Sequence, residues 1–292
     1  LYMLSIANSS LREEEKLFVS PVDVIKAAHK YGMIQEQAVT LAEPWEISML
    51  AQEMDANVKE HVESAVLHGN KLVLGRYSEA QIFMAKRYLT LFLSQPEIQK
   101  NINQSRELQL LGELEQYELN EFKLDLTKYK SPLQTPQDSL ISTQVSFNDN
   151  QEFLTVNFLP ASHYLSSDNR QYFSESELKI GEVSIKYSLK DHSFKLNEFT
   201  LYAVKSYNPT SVALPHFSGE FYLGYRQKHV NRFKSQGMLE ISGAIGKTYR
   251  IHNDAIMYGM FGFGTAINKQ NQFMIIEPKV GVIINMLGDS KL

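Results

Sequence analysis

The sequence contains no cysteine. A disulfide framework and a thiol nucleophile are therefore excluded within these residues. The same absence says little about compartment, because a chain free of thiols suits an oxidising envelope and many cytosolic chains lack Cys too. Excess positive charge is also missing. Lys and Arg number 29 against 33 Asp and Glu, for a net charge of −4. A nucleic-acid partner would call for a basic footprint, so none is expected. No apolar run approaches the roughly 20 residues of a membrane-spanning helix. Phosphate-loop, His-Glu-x-x-His and nucleophile-elbow patterns are all absent. Neither a cofactor nor a metal is expected. His61 and His68 share a helix face at a spacing of seven, but no carboxylate completes an obvious ligand set.

What is present is an ordinary balance for a chain of 292 residues, 43% hydrophobic and 21% charged, long enough for two domains. Residues 1–130 read as helical. Ser20-Pro21-Val22-Asp23 is a helix start, with Ser20 as N-cap, Pro21 at the first position and Asp23 near the positive dipole end; Gly32 ends the helix. Glu43-Pro44 opens a second run, with Ile47, Leu50, Met54, Val58, Val62 and Val66 at helical spacing up to Gly69. Ser78-Glu79 opens a third, whose wide apolar surface (Ile82, Ala85, Tyr88, Leu89, Phe92) marks the central helix. Pro96 breaks it, and an acidic fourth helix is expected from Arg106 to Phe122.

Lys128 to Asp138, with two prolines, reads as a linker. Beyond it the period changes from 3.6 to 2. Leu154, Val156 and Phe158 alternate with Phe153, Thr155 and Asn157, and the phase flips at Gly181-Glu182, a signal for a bulge or a bend. Short turns such as Lys190-Asp191-His192-Ser193 and Asn268-Lys269-Gln270-Asn271 imply an antiparallel meander. The fold class is thus α+β: a helical segment, then an antiparallel meander over 139–292 forming a β-barrel, complete or incomplete. In the last strands Leu239, Ile241, Ile245, Tyr249 and Ile251 share one face, opposite Glu240, Ser242, Ala244, Gly246 and Thr248; Met274, Ile276, Val280 and Val282 repeat the pattern opposite Glu277, Lys279 and Gly281. Two arrangements satisfy it. In a water-soluble barrel the apolar face points inward; in an outer-membrane barrel it meets lipid and the small, polar face lines the lumen. Gly259-Met260-Phe261-Gly262-Phe263-Gly264 lies in strand context, as a bending strand rather than a phosphate site.

His163, in Phe158-Leu159-Pro160-Ala161-Ser162-His163-Tyr164, is the one weak catalytic candidate. As a base it would need a carboxylate, and the nearest in sequence is Asp168. The alternative is a turn residue bonded to the strand end. Tyr164, Arg170 and Tyr172 make the same loop polar and aromatic, suited to a ligand or another domain.

The order of these features resembles the Lnb-like periplasmic family, the lipoprotein intramolecular transacylases and their long Gram-negative relatives with a C-terminal β-domain. Pro21, Asp23, Lys26 and Gly32 match the family's Pro-x-Asp-Thr-x-Arg…Gly-Leu segment, with Lys26 where Arg is usual. Pro160 and His163 match an Arg-Pro-Ala-Tyr-His-Asp-Leu motif, with Leu159 in place of Arg and Tyr164 in place of Asp. Ser218, Gly224 and Arg226 match a Ser-Trp…Gly…Arg landmark, with Gly219 in place of Trp. The resemblance implies thiol-dependent acyl transfer or hydrolysis by a Cys and a His that both precede Leu1. The chain is then expected to be truncated at both ends, to lack the nucleophile, and to be inactive alone, its signal peptide lying upstream. It implies a periplasmic or outer-membrane location in a Gram-negative bacterium and a lipoprotein or lipid substrate. A non-enzymatic outer-membrane barrel or envelope adaptor is the alternative.

Overall fold

The structure is a computed structural model that describes residues 21–34, 41–117, 124–126, 131, 139–148, 151–166, 169, 174–231, 234–252 and 254–285. Ser20 and the 128–138 linker, save Ser131, lie outside them, as do residues 118–122; the helix expected from Arg106 to Phe122 starts at Gln104 and already ends at Glu115. Among the described residues, six helices precede nine strands. Residues 39–128 and 210–216 form one compact unit and the rest of the chain another.

The helices are α1 (Pro21–Lys30), α2 (Glu43–Glu53), α3 (Ala56–His68), α4 (Glu79–Leu93), α5 (Pro96–Gln99) and α6 (Gln104–Glu115). Glycines end α1 and α3, Gly32 at φ 67° and Gly69 at φ 73°, a left-handed backbone that costs glycine nothing. Ser78 and Asn103 cap α4 and α6 through side-chain oxygens that accept from Gln81 N and Ser105 N. The single helix expected from residue 43 to 68 is in fact two. Met54 and Asp55 are extended, and the freed Asp55 N–H donates to Gln81 Oε1 at 2.9 Å. A tertiary partner on α4 replaces one intrahelical bond, which local periodicity does not register.

Helix α4 is the centre of this unit. It buries Ile82, Met84, Ala85, Tyr88, Leu89 and Phe92, against Ile47 and Leu50 of α2 and Val58 and Val62 of α3 on their own buried faces. Tyr88 is fully enclosed, and its hydroxyl donates to Glu63 Oε1 at 2.8 Å. Burial, with the adjacent Glu63 carboxylate, pushes the phenol well above its usual pKa, so it remains a donor. Arg87 grips Glu46 at 2.6 and 2.8 Å; that hydrogen-bonded carboxylate raises the guanidinium further. Tyr88→Phe leaves the ring and removes the donor from a buried carboxylate contact. We expect a loss of about 1–3 kcal/mol in urea unfolding of the helical unit, with its helix content unchanged.

The strands are β1 (Leu140–Asn148), β2 (Gln151–Leu159), β3 (Ala161–His163), β4 (Glu175–Ser188), β5 (Ser193–Tyr207), β6 (Ser218–Asn231), β7 (Lys234–His252), β8 (Ala255–Ile267) and β9 (Gln272–Ile284). They form one antiparallel meander in the order β1-β2-β4-β5-β6-β7-β8-β9, with β3 continuing β2 along β4. The sheet is not closed into a barrel: β1 and β9 are its edges. At Gly181 the ladder is interrupted without a change of register, from Ile180↔Tyr202 to Glu182↔Thr200; the register shift between β4 and β5 falls instead between Ser184 and Ile185. Gly181 has φ 70°, and a Cβ there would meet the Pro160 ring at 3.2 Å. The interruption thus sits where Pro160 breaks the join of β2 and β3, since proline offers no ladder donor.

The sheet is strongly curved. Lys279 of β9 reaches Glu220 of β6 at 2.5 Å, past the two strands between them. Asn285, just after β9, donates to Glu175 of β4 at 3.0 Å. These contacts lie on the concave side and fix which face points inward.

Candidate functional site

The concave face carries the polar residues. From β6 it receives Ser218, Glu220, Tyr222, Gly224, Arg226 and Lys228, and from β7 Glu240, Ser242, Ala244 and Thr248, the alternate positions of each strand. Glu240 is 2% exposed. Its carboxylate accepts from Arg226 Nε at 2.7 Å, from Arg226 Nη2, from Lys228 Nζ at 2.8 Å and from Ser242 Oγ at 2.8 Å. A carboxylate withdrawn from water is tolerable only with this density of donors. The Arg226 guanidinium also lies over the Tyr222 ring, 4.3 Å from its centroid.

A second cluster centres on Glu220, which accepts from Tyr207 Oη and Lys279 Nζ, each at 2.5 Å. Lys279 is also 3.3 Å from Glu277. Tyr207 stacks on Tyr258 with ring centroids 4.6 Å apart, beside Ile256, Met260 and Ile283. On the β4–β5 side Lys205 pairs with Glu177 at 2.9 Å and Lys179 with Glu182 at 3.3 Å. Thr200, fully buried, lies 3.3 Å from Glu182 and 3.2 Å from Glu198. Ser218 and Thr248 hydroxyls meet at 2.7 Å. A cavity of about 430 Å³ opens among these groups, lined by Glu177, Lys179, Lys205, Glu220, Arg226 and Lys279. Its cations and carboxylates are matched and mutually bonded. Such a lining braces the concave face of the sheet.

The convex face is the reverse. Every strand of the meander exposes large apolar side chains, among them Phe147 on β1, Phe158 on β2, Ile185 on β4, Leu201 on β5, Phe221 on β6, Ile245 on β7, Phe263 on β8 and Val280 on β9. The outward side of β7 bears one charge, Lys247.

The sequence candidates separate in space. His163 lies on β3, opposite Leu178, with Nε2 3.0 Å from Ser176 Oγ on the neighbouring strand. Asp168, Arg170 and Tyr172 lie outside the described residues. Pro160 packs against Gly181. Ser218, Gly224 and Arg226 share the inner side of β6, and a Cβ at Gly224 would come within 2.4 Å of Phe199 O. Lys26 and Gly32 are in and just after α1, with Pro21 and Asp23 in its first turn. His61 meets Arg76 Nη2 at 3.2 Å and the edge of Tyr77. Among the described residues no three His, Asp or Glu side chains converge as a metal site. The Glu240 and Glu220 clusters escaped sequence reasoning as sites, although Glu240 and Ser242 on one strand and Glu277 and Lys279 on another were legible as polar-face positions. Their pairing depends on diagonal contacts and on strands 59 positions apart in the chain; no local spacing encodes that.

A family model described as a domain of unknown function, DUF7840, matches residues 129–289. The match covers more than half of the chain, and the chain belongs to that family. No curated protein and no solved structure matches it.

Proposed function

We propose that the β unit sits in a bilayer of the outer-membrane type, convex face to the acyl chains, and that it anchors the helical unit at that membrane. One observation carries this: the sheet is inside out. Glu240 is 2% exposed on the concave face while Ile245, five residues on along the same strand, is 56% exposed on the convex face. In water, both placements work against folding, since exposed apolar area forgoes burial and an enclosed carboxylate forgoes hydration. Against lipid both are favourable. Spanning needs about 9–11 residues per tilted strand, and β4 to β9 run from 13 to 19. Monomers that live in water seldom expose apolar patches beyond a few hundred Å²; here the apolar surface extends over the whole meander.

The polar interior then has a structural role, that of a charge-matched plug. The resemblance to Lnb-like proteins supports a Gram-negative envelope for the anchored unit, next to lipoprotein and lipid substrates. Any thiol chemistry there requires a cysteine from outside this sequence, which has none. Membrane seating does not depend on that chemistry.

The test is refolding of the whole chain from urea into phosphatidylcholine vesicles, followed by carbonate extraction and protease digestion. The expected outcome is retention in the vesicle fraction, with a protected fragment that contains β4 to β9. A chain that stays monomeric in detergent-free buffer and leaves the vesicles on carbonate washing would overturn the proposal.

A further inference from the structure

We infer that β1 and β9 pair with each other in the bilayer, so that the open meander becomes a closed eight-stranded barrel. This rests on the membrane seating proposed above. Lipid offers no hydrogen bonds, so a spanning sheet cannot keep a free edge. The partner for each edge has to come from somewhere, and three features of this chain point to its own other edge.

The first is stagger. One unbroken row of paired residues crosses the sheet: Ile141, Phe158, Val183, Phe199, Tyr225, Leu239, Ile267, Gln272. The row enters near the start of β1 and leaves at the first residue of β9. Relative to it, β1 extends one way and β9 the other, so the two edges are displaced by most of a strand length. A tilted barrel requires this displacement. Strands that all cross one slab drift steadily along their neighbours, and an eight-stranded barrel closes with a stagger of about 8 residues. A shift of that size carries Ile141 onto the neighbourhood of Val280 and sets Val145 against Ile276.

The second is facing. The shift is even, so side chains keep their sides. Ile141, Val145 and Phe147 would join Met274, Ile276 and Val280 on one apolar surface. Phe147 and Ile141 at 74% and 71%, and Met274 and Val280 at 83%, are among the most exposed apolar residues of the sheet, as expected where a neighbouring strand is missing.

The third is curvature. Asn285 beyond β9 already touches Glu175 of β4. In the ring order only β1 and β2 remain between those strands. The even strand number makes the closing pair antiparallel, like every other pair in the meander.

The absence of cysteine supplies a clean background for the test. Val145→Cys is combined in turn with Met274→Cys, Ile276→Cys and Pro278→Cys in the whole chain, refolded into phosphatidylcholine vesicles and oxidised with copper phenanthroline. Val145→Cys with Ile245→Cys is the control. The expected result is a disulfide within one chain, seen as a faster monomer band on a non-reducing gel, for one of the three registers and not for the control. Protease protection is read on the same vesicles. Protected chains with no crosslink, or crosslinked only as dimers, would overturn closure and leave the membrane seating standing. Unprotected chains would overturn both.

Discussion

Ile245→Arg should cost about 2–4 kcal/mol in the bilayer, the penalty for an arginine on the lipid face of a barrel near the midplane. The readout is a lower urea midpoint for the vesicle-bound chain and a smaller fraction retained after carbonate washing. Ile245 stands on the convex side of β7, seven residues from the strand's last residue, His252. It neighbours Gly219 on β6 and Phe261 on β8. The prediction is sharp because water gives the opposite answer. At 56% exposure, an isoleucine exchanged for arginine on a water-facing surface shifts stability by roughly ±0.5 kcal/mol and improves solubility. A neutral result in vesicles would remove the lipid contact from the account. Lys247, two positions along the same face, is no counterexample in itself. Its ammonium lies 5.9 Å from the centre of the Phe217 ring, just before β6 begins, where a long stem can carry its charge toward a polar boundary.

Glu240→Ala should destabilise the β unit by about 3 kcal/mol. Removing one member of an enclosed charge set leaves the others without compensation, at a typical cost of about 3–5 kcal/mol. The lower end applies because Arg226 and Lys228 keep 36% and 32% of their side-chain surface while Glu240 has none. The effect belongs to the set rather than to glutamate as such. A triple variant, Glu240→Met with Arg226→Met and Lys228→Met, should therefore recover most of the loss, because an apolar set of similar volume needs no donors. Urea unfolding of the two variants in vesicles separates the cases. If the triple variant is as unstable as the single one, the charges have a role beyond mutual neutralisation, and the plug description fails.

Both predictions turn on which face of the sheet is inside, and here the separate contributions of sequence and fold are visible. Alternation in Leu239–Ile251 and Met274–Ile284 already divides apolar from polar positions. A strand has a two-residue period whichever way the sheet bends, so this division is local and legible. The break at Gly181, the glycine ends of α1 and α3 and the central place of α4 were legible for the same reason: a phase change, a left-handed residue and a wide apolar stripe are each properties of a short segment. The family-motif positions Ser218, Gly224 and Arg226 were legible as one landmark along the chain, though not as neighbours of Glu240 and Thr248.

By itself, then, the sequence determined an α+β chain with a helical part, a meandering sheet and two sheet faces of opposite character. Only the tertiary structure decided that the polar face is the concave one, because curvature arises from strand pairing, twist and bulges summed over the sheet, and not from any one segment. It also decided where α2 yields to α3, since the extended Asp55 is stabilised by Gln81 on another helix. And it alone joined Lys279 to Glu220 and Arg226 to Glu240. Such charges can reside inside a sheet when other strands deliver their partners, and that delivery is a consequence of the fold.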